Sequence, residues 1–119
     1  MQPQRTEARA GLESVAWLLS ASPDKSLRNG PRALEITQEL ARLNSAPDPH
    51  LLMVQGAALA ECGRFDDALA IARQAQAMLS RPELARQFQT LSEQIDSYQR
   101  KLPVRDPKLT NQPASSGIN

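Results

Sequence analysis

Residues 49–82 read PHLLMVQGAALAECGRFDDALAIARQAQAMLSRP, a 34-residue stretch bounded by Pro49 and Pro82. Two helical segments lie inside it, parted by Cys62-Gly63-Arg64. Asp48 suits the N-cap of the first segment and Pro49 its first turn. Leu52, Gly56 and Leu59 share one face of that helix, and Gly63 is placed to end it in a left-handed conformation. Asp66 is expected to N-cap the second helix, with Ala68, Ala72, Ala75 and Leu79 as its apolar stripe. Small residues facing each other let two helices cross at short range. Gly63 and the aromatic Phe65 shape the turn between them.

The same reading extends in both directions. A first helix is expected from about Arg5 to Ser20, with Leu12, Val15, Ala16 and Leu19 on one stripe. A second starts near Pro31 and carries Ala33, Ile36, Leu40 and Leu43, with turn formers from Ala21 to Gly30 between the two. Beyond Pro82 a fifth helix runs to about Lys101, with Leu84, Phe88, Leu91, Ile95 and Tyr98 spaced by fours and threes. Gln87, Gln89, Gln94 and Gln99 are expected on its solvated side. Residues 103–119 hold three Pro, two Ser, two Asn and few large apolar residues. Too little there can be buried to offset the entropy of ordering, so a disordered tail is expected.

Composition agrees with helix. The 119 residues include 17 Ala and 16 Leu against 7 Val plus Ile, and aromatics are 3%. That balance disfavours a sheet. A net charge of +1 gives no counterion-release drive towards nucleic acid. One Cys excludes an internal disulfide, and one His excludes His-rich metal or triad arrangements within the chain. No run is long and apolar enough to span a bilayer, and the charged N-terminal segment does not read as a signal peptide. A free Cys without an export signal makes a cytoplasmic location the expectation.

The unit from Pro49 to Pro82 resembles a tetratricopeptide repeat (TPR). Gly56, Leu59, Gly63, Phe65, Ala68, Ala72 and Ala75 carry the likeness, and Gln55 and Ser80 depart from it. Residues 9–48 look like a looser copy, with Ala16 matching Gly56, Leu19 matching Leu59 and Ala33 matching Ala68, and with a longer turn containing Gly30. The stretch from Ala16 to Leu43 is similar to the last repeats of large bacterial TPR proteins. The resemblance implies an all-α fold of antiparallel helical hairpins stacked as a short solenoid over 5–102. Its parts would be one repeat at about 9–48, a second at about 49–82 and a capping helix at about 82–102.

Motifs for catalysis are absent. The five Gly residues never cluster into a phosphate loop, and no HExxH, CxxC or GxSxG occurs. Neither an enzyme, nor a cofactor, nor a small-molecule substrate is expected. Cys62 beside Gly63 reads as a small packing residue, with Arg64 the only basic neighbour in sequence. Trp17 lies roughly 140° round its helix from the Leu12–Leu19 stripe, at about 100° per residue. By the resemblance it faces the concave side, where it either packs on a neighbouring helix or anchors a bound peptide. Glu13, Met53, Val54, Ala57, Ala60 and Glu61 would complete a mainly apolar concave wall, and His50 stands at its edge. The implied function is a protein–protein interaction module that takes a partner segment on that face. Two alternatives stay open: a structural C-terminal end-cap of a larger array or enzyme, and a self-associating helical module.

Overall fold

The computed structural model of the chain describes residues 3–44 and 46–109. Five α-helices carry the fold: α1 (Pro3–Ala21), α2 (Gly30–Leu43), α3 (Pro49–Glu61), α4 (Phe65–Met78) and α5 (Ala85–Gln99). No strand occurs among the described residues. The architecture is a helical-repeat-like stack in which each helix packs against the next. α1 also packs on α3. No helix among the described residues is long and apolar enough to cross a membrane.

Local chemistry sets the boundaries. The link from α1 to α2 contains a single 3-10 turn, Lys25–Leu27, whose N-cap Asp24 accepts from the Ser26 amide at 3.0 Å. The Asn29 side chain then caps α2 by accepting from Arg32 N at 3.1 Å. The backbone amide of Asn29 donates to Leu19 O at 2.8 Å, which closes the link onto the end of α1. Asp48 caps α3 as expected, accepting from His50 N at 3.0 Å. Gly63 adopts φ +81°, and Arg64 N donates back to Leu59 O at 2.9 Å. Asp66 is not the cap of α4. That helix starts at Phe65, with Arg64 at the cap position making no side-chain bond, and Asp66 and Asp67 fall inside the first turn. There their charges complement the helix dipole. The fifth helix also starts later than expected, because Pro82–Leu84 forms a 3-10 turn ahead of it.

The core is built from small and aliphatic residues. Ala16, Ala33, Ala68, Ala72 and Ala75 are essentially inaccessible, with Leu40, Leu51, Val54, Leu59 and Leu91 around them. α3 is buried almost all round, as suits a helix walled by α1, α2 and α4. Gly56 lies where α3 meets α4 and α5. A Cβ there would sit 3.7 Å from Ala68 O and 3.7 Å from the Tyr98 hydroxyl. Gly30 is tighter still, since a Cβ would stand 3.0 Å from Cys62 Sγ and 3.2 Å from Cys62 N. Ala33, Leu59 and Phe65 pack into or against the same core.

Two residues of the α1 stripe expected in the core are only half covered. Leu12 and Val15 are 41% and 43% exposed, because the neighbours of α1 are α2 and α3 and these two side chains face neither fully. Gln94, expected in solvent, is instead buried. α5 turns that side towards the tail.

The tail is the main correction. Residues 103–109 are ordered against the helices, ending in a 3-10 turn at Pro107–Leu109. Composition argued for disorder, but a few specific polar bonds, with Pro103, Val104 and Leu109 partly buried, hold the segment. Residues 110–119 of the expected disordered tail lie outside the described residues. The chain turns back at Lys101, which takes φ 59° as Leu102 N donates to Ser97 O at 2.8 Å.

Candidate functional site

The inner faces of α1, α3 and α5 form a groove, and residues 103–109 lie along it. Trp17 is half-buried at its centre. Its indole Nε1 donates to Asp106 Oδ2 at 2.8 Å, a charge-assisted bond. The other carboxylate oxygen, Oδ1, accepts from Lys108 N at 3.0 Å and so shapes the tail's own turn. The backbone amide of Asp106 donates to Ala21 O at 2.8 Å, satisfying a carbonyl at the end of α1 that has no partner within the helix.

Glu61 ties the groove together. Oε2 accepts from Arg28 Nε at 3.2 Å, and Oε1 stands 2.8 Å from Arg105 Nη1 as an ion pair. Arg28 also donates to Ser22 O at 2.8 Å, which fastens the α1–α2 link to the same carboxylate. Arg105 keeps a third of its side chain exposed, so solvent weakens its pair with Glu61.

A cavity of about 340 Å³ opens beside the tail. Glu13, Trp17, His50, Met53 and Val54 line it, and Leu109 of the tail closes one side. His50 Nδ1 lies 2.7 Å from Glu13 Oε1, which makes the imidazole the donor and bridges α1 to α3 at the rim. A second cavity, of about 370 Å³, lies between Trp17, the tail and the α5 side chains Thr90, Glu93, Gln94 and Ser97.

Five of the eight residues expected at a partner-binding face thus meet at one cavity. Glu61 lies along the same groove, as the anchor of Arg105. Ala57 does not belong to the surface: it is fully buried, as Ala60 nearly is, because α3 is enclosed on that side. The tail residues Arg105 and Asp106 and the α5 residues Gln94 and Ser97 were not foreseen. The Asp106-Pro107 pair is a turn-starting signal, and a half-buried indole N–H needs an acceptor. Together these are the clues the sequence held.

Among the described residues no three His, Cys, Asp or Glu side chains gather to hold a metal. Burial pushes the Cys62 thiol up from its ordinary range, and the nearby Arg64 only partly offsets this, so the thiol is held in its unreactive neutral form. Burial likewise pushes up the Tyr98 phenol, whose hydroxyl makes no hydrogen bond to the protein. Compared with family models, curated proteins and solved structures, the chain matches none.

Proposed function

We propose that the chain is a non-catalytic protein–protein interaction module of TPR type, binding a partner segment on its concave face. One observation carries the reading: the groove between α1, α3 and α5 already accommodates an irregular chain segment. It does so with an indole donor, a carboxylate, a free helix carbonyl and an apolar cavity. Rigid helices with mixed polar and apolar anchors are what a linear peptide needs for orientation and affinity. The repeat pattern of residues 49–82 adds support.

The test is selection of peptides from a random display library on the full chain, with counter-selection on a Met53→Glu variant. Sequences enriched on the parent and lost on the variant are expected. Enrichment equal on both proteins would overturn the reading.

A second reading, an end-cap or self-associating module, draws on the exposure of Leu12 and Val15 on α1. If it holds, a Leu12→Glu/Val15→Glu variant changes the sedimentation behaviour of the chain while leaving peptide binding intact.

A further inference from the structure

Residues 105–109 read Arg-Asp-Pro-Lys-Leu. We infer that this segment is an internal occupant of the groove, and that the partner is a linear peptide with the same order of anchors. Those anchors are a cation, an acidic residue directly after it, a proline, a free position and a large aliphatic side chain. The inference rests on the reading of the chain as an interaction module.

The cation, the acidic residue and the aliphatic side chain each meet a different part of the scaffold, and the proline shapes the turn between them. The Arg105 guanidinium pairs with Glu61 of α3. The Asp106 carboxylate accepts from Trp17 of α1, and the Asp106 amide donates to the last carbonyl of that helix. Pro107 starts the turn that the Asp106 carboxylate caps, so the segment is partly pre-shaped. Leu109 reaches the cavity beside Met53 and Val54. Pro107 and the free position, Lys108, stay exposed. A segment that merely completed a core would be apolar and continuous. This one is polar, intermittent and held at the rim, which is how a displaceable ligand is bound.

The tether makes it an efficient competitor. Only Leu102–Val104 separate the end of the α5 turn from Arg105, so the segment cannot leave the neighbourhood of the groove. A short tether gives an effective concentration on the order of millimolar. A free peptide of the same sequence therefore binds the intact chain weakly, because the competent, open form is only a fraction of the population.

The experiment uses a fluorescein-labelled peptide, LPVRDPKL, titrated against the full chain and its Asp106→Ala and Asp106→Asn variants by anisotropy. Circular dichroism of each protein reports the fold. The variants are expected to remain helical and to bind the peptide at least ten-fold more tightly than the parent. The same peptide carrying Asp106→Ala is expected to lose at least ten-fold on every protein. If folded variants bind LPVRDPKL no better than a scrambled peptide, the inference is overturned. If both variants lose their helical structure, the segment is part of the core and the inference is equally overturned.

A random peptide library panned on the Asp106→Asn chain separates the two levels. Binders that depend on Met53 but lack the anchor order refute the likeness to the tail and leave the interaction module standing. No Met53-dependent binders at all refutes both.

Discussion

The indole nitrogen of Trp17 donates across 2.8 Å to Asp106 Oδ2, joining residues 89 positions apart. The first helix is thereby tied to a segment beyond the last one, and the groove between them is covered by the chain itself. A Trp at that position without an acceptor would leave a half-buried donor unpaired.

Trp17→Phe keeps the ring and removes the donor. We expect it to lower stability by about 1–2 kcal/mol, at the low end for a bond to a charged group because the site is only half-buried. In an Asp106→Ala background the same replacement should cost less than about 0.5 kcal/mol, since the partner is already gone. Urea melts of the four proteins give the coupling energy. Equal costs in the two backgrounds would show that the bond contributes nothing.

Gly56→Ala is expected to be neutral or stabilising by up to about 1 kcal/mol, because helix propensity rises and the new methyl meets only ordinary contacts. Gly56→Leu is expected to destabilise by about 2–3 kcal/mol, because a longer side chain runs into the Tyr98 ring and the α4 backbone. A Leu variant melting at or above the parent would place the close approach elsewhere.

Gly30→Ala should be the costlier alanine replacement, at about 1–2 kcal/mol, because its methyl meets Cys62 Sγ and the Cys62 backbone nitrogen inside normal contact distance. Adding Cys62→Ala should recover part of the loss, since it removes the sulfur and leaves the backbone contact. Thermal melts of the single and double variants check both statements.

Tyr98→Phe deletes a buried hydroxyl that bonds to nothing in the protein, so stability near neutral pH should change by less than about 1 kcal/mol, with a gain the expected sign. The alkaline limb should differ more. Folding holds the phenol neutral above its ordinary pKa near 10, so the parent loses stability as pH climbs past that value, where the unfolded chain ionises first. The raised Cys62 thiol contributes the same sign from its own ordinary value upward in both proteins, so the difference between them isolates Tyr98. Tyr98 is the only tyrosine, and its ultraviolet titration reads the shift directly.

Much of the fold was legible along the chain because its signals are local. Asp48 and Gly63 bound α3 through bonds that reach only a few residues, and alanines at helical spacing mark the buried stripes. The face carrying Glu13, Trp17, Met53 and Val54 followed from helical periodicity together with the likeness to a repeat. Errors came where a neighbour, rather than the local pattern, decides. Leu12 and Val15 fit an apolar stripe, yet no helix covers them fully. Gln94 looks solvated, yet the returning tail encloses it.

By itself the sequence determined five helices, their turns and the small-residue contacts that let them stack, because helix periodicity, capping and glycine conformation act within a few residues. Only the tertiary structure decided what covers Trp17. Composition marks residues 103–109 as too polar to order, and that holds for a free chain paying the full entropy of ordering. The stacked helices alter the balance by bringing Glu61, the Ala21 carbonyl and the Trp17 indole into one groove. A segment tethered beside it then gains several bonds for a loop-closure cost already met by folding.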